Sequence, residues 1–244
     1  MCCRYFHIER RIFIEKTFYF ILKLGFLSEM FRYLKCNSNK LAFQFCTQRN
    51  YCKSLYIQGQ RVDNKIREYF YYIDHDGMLF LDDARIKNFT SCFKEKHFIR
   101  FFFKRLRFNT TNRYQNEFPY LSLCGTERNY IRCDDLPIVF TDVISNDQEN
   151  CLAYNHGGNE LKMQFQPDKV YMSPESGRVY HPADGQYGFI GLIRSKMAIA
   201  FSKHFEFEQG EQAPPTHFTW NNTRYILEND WLKDIKLPEG RKYL

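Results

Sequence analysis

From Glu68 to Asp83 the chain reads as two apolar runs that fold back on each other. Tyr69, Tyr71 and Ile73 alternate with Phe70, Tyr72 and Asp74; Asp76-Gly77 comes next, and Met78-Leu79-Phe80-Leu81 returns. Alternation on either side of an Asp-Gly pair predicts a β-hairpin. Asp82 or Asp83 is placed to cap a helix after it, since a carboxylate there accepts from the first free amides. Ile86, Phe89, Phe93, Phe98 or Ile99, Phe102 and Leu106 then recur near helical spacing up to about Arg107, with Lys87, Lys94, Arg100, Lys104 and Arg105 opposite. One long helix is therefore expected, its cations toward the C-terminus where the macrodipole favours them.

Beyond the turn-formers Asn109-Thr110-Thr111-Asn112 the pattern changes to short apolar runs between breakers. Strands are predicted near Tyr130–Arg132, Ile138–Val143, Leu152–Tyr154, Leu161–Phe165, Val170–Met172, Arg178–Tyr180, Gly188–Ile193, Ala198–Glu208, His217–Trp220 and Arg224–Leu227. Spacing of roughly 8–12 residues indicates antiparallel sheet. The high content of Phe (25) and Tyr (17) favours strands as well. The expected fold class is α+β: a mostly antiparallel curved sheet or small open barrel packed on one long helix. The absence of βαβ alternation argues against a doubly wound nucleotide-binding fold.

Charge divides the chain. Residues 1–62 hold 11 Lys and Arg against 3 Asp and Glu, which leaves 24 basic and 25 acidic side chains in residues 63–244. The formal net charge of +7 thus belongs to the first 62 residues, and the remainder is near neutral at −1. From Phe31 to Val62 there is no acid, while Arg32, Lys35, Lys40, Arg49, Lys53 and Arg61 interleave with Phe31, Leu34, Leu41, Phe43 and Phe45. Such a segment predicts a mitochondrial transit peptide starting at Met30 and cut near Tyr51, with a solvated basic arm as the alternative. Residues 1–29 are read as an upstream extension or a weak membrane-surface helix, because the apolar stretch Thr17–Leu27 is too short for a span of about 20 residues. No transmembrane segment is predicted. Cys92, Cys124, Cys133 and Cys151 lie beyond the leader without a CxxC pair, so neither a zinc finger nor a disulfide framework is expected.

The run Arg67-Glu68-Tyr69-Phe70-Tyr71-Tyr72 with Asp74, Gly77 and Leu79-Phe80-Leu81-Asp82-Asp83 resembles the opening of uncharacterised protein family 0598. Lys87-Asn88-Phe89, Cys92-Phe93, Phe118-Pro119, Cys124-Gly125-Thr126-Glu127-Arg128-Asn129, Arg132-Cys133-Asp134-Asp135, Tyr180-His181-Pro182 and Gly191-Leu192-Ile193-Arg194-Ser195 extend the resemblance to about residue 208. It implies a mitochondrial protein with no assigned activity and no agreed catalytic residues. The layout is also similar to a bacterial uncharacterised family built from two α+β half-barrels, in which a D-x-D-G hairpin leads to a helix and an acidic-Pro strand like Asp134-Asp135-Leu136-Pro137-Ile138. That similarity implies two halves, 63–145 and 146–235, and a tail over 236–244.

Candidate chemistry gathers near the 124–135 loop. Glu127, Arg128, Arg132, Asp134 and Asp135 form a dense charged knot, which suits either an anion-holding cluster or ion pairs that brace a loop. Arg128, Arg132 and Arg194 are the candidate ligand-binding residues. An enzyme would use Cys124, Glu127, Arg128, Asp135 and His181, with Cys124 as nucleophile and His181 as base. Cys124, Cys133, His156 and His181 would be a soft metal set if strand returns gathered them, against the alternative of buried thiols and a strand-end histidine. Asp74, Asp76, Asp82 and Asp83 lack the glutamate of a calcium loop and read as turn and cap residues. No metal and no cofactor are predicted. Lys94–Arg107 with Phe101-Phe102-Phe103 raises RNA binding, but a near-neutral body disfavours nucleic acid. The leading expectation is a non-catalytic binding or scaffold module in the mitochondrial matrix, contacting a protein partner or small acidic ligand through the 124–135 region. An unrecognised enzyme is the first rival and an RNA-binding protein the second. A deep pocket where those groups converge would mark an enzyme; spread, paired charges would mark a scaffold.

Overall fold

The computed structural model describes residues 56–145, 150–210 and 213–237, which fall within one compact unit, Lys53–Leu244. The leader, its Met30 start and its Tyr51 cut lie outside the described residues, as does nearly all of the tail.

The expected hairpin forms as β2 (Arg67–Ile73) and β3 (Leu79–Leu81). Asp74 shapes its turn: the side chain accepts from the amides of Asp76 and Met78, and Gly77 takes φ +78°. Both faces of β2 are covered. Glu68 and Phe70 point to one side, Tyr71 and Ile73 to the other, and all four are buried. Alternation here does not separate core from solvent, because the strand lies inside the molecule.

β2 is flanked by β1 (Gln60–Arg61) and pairs in parallel along its full length with β6 (Glu127–Cys133). β4 (Leu106–Phe108) and β5 (Tyr120–Cys124) complete this sheet in the order β1-β2-β6-β5-β4, with β3 on β2. One face packs Phe70, Phe118, Leu121 and Tyr130 beneath Tyr56 and Tyr114. The other receives helix α1 (Lys96–Phe103), whose Phe102 ring centroid lies 5.0 Å from that of Tyr71. Ser122 donates to the carbonyl of Phe102 at 2.7 Å and ties the helix to β5.

A second sheet has the order β10-β11-β12-β7-β8-β9, formed by β7 (Val139–Ser145), β8 (Asn150–Tyr154), β9 (Lys162–Gln164), β10 (Tyr171–Met172), β11 (Val179–Pro182) and β12 (Ile190–Ile193). Helix α2 (Ser195–Phe201) comes after it, then a small sheet of β13 (Phe205–Glu206), β14 (His217–Trp220) and β15 (Thr223–Ile226). The large sheets share a pairing scheme. In each, one strand makes a hairpin with the next, β2 with β3 and β7 with β8, and the last strand of the sheet returns parallel to it, β6 on β2 and β12 on β7. The halves expected to meet at residues 145 and 146 would cut the β7–β8 hairpin; the change of sheet falls between Cys133 and Val139.

The fold is α+β and mostly antiparallel strand, but among the described residues the single long helix is absent. Of the stretch expected to form it, only Lys96–Phe103 is helical, and its cap is Glu95, whose carboxylate accepts from the amides of His97 and Phe98 at 2.8 and 2.5 Å. Upstream, the Asn88 side chain accepts from Thr90 and the Ser91 hydroxyl bonds the Ile86 carbonyl, local bonds that displace helix. The Phe93 amide is taken by Leu79 across the hairpin edge. Ile86 and Phe89, expected on the buried face, stand 68% and 70% exposed. The strand expected over Ala198–Glu208 is instead α2, a 3-10 turn and the two residues of β13. Met197 and Phe201 are buried four apart while Ile199 is exposed, a helical period that the aromatic content of the segment obscured.

Candidate functional site

The charged residues of the 124–135 region do not converge on a common point. Arg132, Asp134 and Asp135 are drawn to different partners. Arg132 reaches back to Asp82 at 2.5 Å, and the Tyr56 hydroxyl donates to the same carboxylate. Asp135, fully buried, takes a hydrogen bond from Arg178 and another from the Tyr180 hydroxyl at 3.1 Å. Burial first, and then the nearby Asp135 charge, hold the Tyr180 phenol well above its usual range. Arg194, far along the chain, donates from Nε to Asp76 at 2.9 Å. Arg128 and Glu127 lie at the start of β6, opposite Leu123 and Cys124 of β5. Cys124 is half-buried, with its sulfur 3.6 Å from the Ser122 hydroxyl.

His181 is on the other large sheet from Cys124, and its chemistry is already spent. Nε2 accepts from the Gln166 amide at 3.0 Å and Nδ1 faces the Pro182 carbonyl at 2.8 Å, which fixes a neutral Nδ1–H tautomer. Phe140 and Phe165 rings flank it, and burial pushes its pKa down to about 4. A histidine with both nitrogens engaged cannot accept a proton from a thiol. The soft metal set is scattered too: the Cys133 thiol donates to the Asp135 carbonyl, and His156 Nε2 meets the Asp76 carbonyl. Among the described residues no three His, Cys, Asp or Glu side chains are grouped to hold a metal ion. Of the four hairpin carboxylates only Asp74 makes a turn; Asp76 and Asp82 pair with arginines and Asp83 accepts from Gln58.

Two arrangements were missed from the sequence. The first is Glu68, fully buried on β2. Arg113 grips its carboxylate with both arms at 3.0 and 2.9 Å, Gln60 donates at 2.7 Å and the Tyr130 hydroxyl at 3.1 Å. With four donors the carboxylate is saturated, and the cluster braces β1 and β2 against the 109–118 segment. Glu68 sits within an alternating aromatic run, and nothing local announces a partner 45 residues away.

The second is a cleft of about 440 Å³ between the β10–β11 turn and α2. Its floor is apolar, from Val179, Leu192, Ile193 and Ala198, while Arg178, His75, Ser176, Ser195 and Ser202 supply polar groups; no carboxylate lines it. Behind the lining, Asp134 accepts from His75 at 2.9 Å and Asp135 holds Arg178, which fixes both side chains at the rim. Arg178 gives one terminal nitrogen to Asp135, remains 43% exposed and lines the opening. His75, Asp134 and the serines do not form a nucleophile relay. The Ser202 hydroxyl donates to the Ile199 carbonyl, the Ser176 oxygen accepts from the Arg178 amide, and among the described residues no hydrogen bond joins His75 to any of the three serines. The arrangement is suited to holding an anionic group above an apolar body. No sequence signal marked it, because its walls come from residues 75, 172–179 and 192–202.

Among the described residues no helix is long and apolar enough to cross a membrane. The chain is similar to a solved structure of a DUF1285 family protein from Silicibacter pomeroyi DSS-3, at 15% identity over 74% of this chain and 94% of that one, with a TM-score of 0.38. It is also similar to a DUF1285 family protein from Shewanella baltica OS155, at 13% identity over 57% of this chain and 94% of that one, with a TM-score of 0.39. Over residues 58–232, from the strand before the hairpin to beyond the third sheet, the sequence matches the family described as Domain of unknown function (DUF4505), and the chain belongs to that family.

Proposed function

We propose that this protein is a non-catalytic binding module of the mitochondrial matrix that takes a small carboxylate-bearing ligand. The binding place is the cleft between the β10–β11 turn and α2. One observation carries the reading: an opening of about 440 Å³ has an arginine, a histidine and three serines over an apolar floor and no acidic side chain in its lining. A carboxylate meets Arg178 with charge-assisted hydrogen bonds, and an aliphatic body covers Leu192, Ile193 and Ala198. Asp135 and His181 are engaged with separate partners, and Cys124 lies on the other large sheet from His181, which favours binding over catalysis. The common pairing scheme of the two large sheets supports a chain of two similar curled halves, with the cleft built mainly from the second.

The test is calorimetric titration of the full chain with straight-chain mono- and dicarboxylates, alongside an Ala198→Phe variant that fills the cleft without removing a hydrogen bond. Saturable binding by the wild type and none by Ala198→Phe is the expected result. Absence of saturable binding, or equal binding by the variant, refutes the reading. Matrix placement is tested by protease protection of the tagged full chain in isolated mitochondria, where digestion without membrane lysis would refute it.

A further inference from the structure

Residues 84–96 turn a helical sequence pattern inside out, and what they expose has a definite chemistry. Ile86 and Phe89 stand 68% and 70% exposed. They are not loosely placed. The Lys87 ammonium bonds the Asp82 and Ala84 carbonyls at 2.9 and 3.0 Å, and the Ser91 hydroxyl bonds the Ile86 carbonyl at 2.8 Å. Thr90 is tied to Asn88 through backbone and side chain, and Phe93 is pinned to Leu79. A loop secured at this many points holds two large apolar side chains in water, a cost that a bound partner would remove.

The surrounding charge is one-sided. Arg85, Lys87, Lys94 and Lys96 are all exposed in the same segment, and the Lys94 ammonium lies 3.7 Å above the Phe89 ring. The nearby acids are occupied: Glu95 caps α1, Asp82 is buried against Arg132, and Asp83 accepts from Gln58. A projecting apolar pair amid cations, with the Lys94 ammonium over the Phe89 ring, matches an anionic lipid interface. There apolar side chains enter the acyl boundary while ammonium groups remain among the phosphates. An acidic polypeptide would satisfy the cations but leave Ile86 and Phe89 without a low-polarity layer to enter.

We propose that the 84–96 loop is a membrane-docking loop that seats the folded part on an anionic phospholipid surface, with Ile86 and Phe89 inserted and Arg85, Lys94 and Lys96 on the headgroups. The site is separate from the carboxylate cleft, so each stands without the other. The basic leader can also meet anionic lipid, and the readout therefore has to be specific to the loop.

In the full chain carrying Phe89→Trp, tryptophan emission should shift to the blue on adding phosphatidylglycerol vesicles and stay in place with phosphatidylcholine vesicles. Sedimentation of the wild type with phosphatidylglycerol vesicles should fall about tenfold or more in Ile86→Ser/Phe89→Ser. It should also weaken in Lys94→Glu/Lys96→Glu and with added salt. No blue shift with phosphatidylglycerol, an equal shift with phosphatidylcholine, or sedimentation unaffected by the double serine substitution each overturns the proposal. Polyglutamate that competes the protein off the vesicles without any blue shift having occurred would assign the loop to an acidic polypeptide instead, and would equally overturn it. Ile86 and Phe89 contribute to no core, so these variants fold.

Discussion

His181 was a candidate base on sequence grounds, and its surroundings make it a pH-dependent strut instead. An imidazole ordinarily titrates near 6.5. In the folded protein burial pushes His181 down to about 4. Between those values the unfolded chain binds a proton that the folded chain refuses, so the contribution of the neutral ring is complete above the upper value. It is lost as pH falls toward the lower one, roughly 3 kcal/mol in all. Urea unfolding at pH 7 and pH 4.5 should therefore show an acid loss of stability in the wild type that is reduced in His181→Gln, although that variant starts lower at pH 7. An equal loss in both would remove His181 from the account. Glu68 gives the second expectation at this scale. Its carboxylate is fully buried against a half-exposed Arg113. Arg113→Met strands that charge and should cost about 3 kcal/mol, whereas Glu68→Gln/Arg113→Met should cost less than the two single changes together. What sequence revealed here was residue type. It pointed to charged groups that matter, such as Asp135 and Arg194, but their partners Arg178 and Asp76 lie 43 and 118 residues away and were invisible.

At the scale of elements, the hairpin was legible and the helix only partly. The Asp-Gly pair marks the turn, and the structure places the left-handed backbone at Gly77 within the 74–78 connection rather than at both residues of a two-residue loop. Gly77 has φ +78°, and an added Cβ would come within 3.0 Å of the Val139 Cβ. Gly77→Ala should thus lower stability by about 1–3 kcal/mol in thermal or urea unfolding. Helical spacing of apolar residues over 86–106 was real, yet only the Phe98, Ile99, Phe102 and Phe103 portion is helical and buried. Its start is set by Glu95, a longer side chain than the usual caps, while the short polar residues Asn88, Thr90 and Ser91 closed a turn upstream. Glu95→Ala should cost about 1 kcal/mol, a change below a few tenths meaning that the cap does not hold the helix start. The strand β5, Tyr120–Cys124, comes directly after Pro119 and went unread, and its identity comes from pairing with β6.

At the scale of the whole molecule, the tip of the first hairpin is one of the places where the two large sheets are joined, beside the Tyr187 hydroxyl on the Phe103 carbonyl and the Arg100–Glu160 ion pair. Asp76 accepts from Arg194, its carbonyl meets His156, and the Gly77 carbonyl accepts from the Asn155 amide at 3.3 Å. Asn155 is buried, holds φ +47°, and also accepts from the Val139 amide at the start of β7. One amide side chain therefore connects the turn of the first sheet to the first strand of the second. The α+β class could be read from strand spacing, but this seam could not, since it depends on a left-handed asparagine and on carbonyls that carry no sequence signature. The joint has a consequence for cooperativity. The sheets share buried polar partners that neither satisfies alone, so they should unfold together. Emission from Trp220 and Trp231, both on the side of the second sheet, should track the same urea curve as amide exchange in β2 and β6. Asn155→Ala leaves the Gly77 carbonyl and the Val139 amide short of a partner, which should cost about 1–3 kcal/mol. If the asparagine is the joint, the same substitution should also pull the two curves apart, with the second sheet melting at lower urea while β2 and β6 stay protected by their seven-residue parallel register. Curves that remain superimposed in Asn155→Ala would mean that the other contacts across the seam couple the sheets without help from the asparagine.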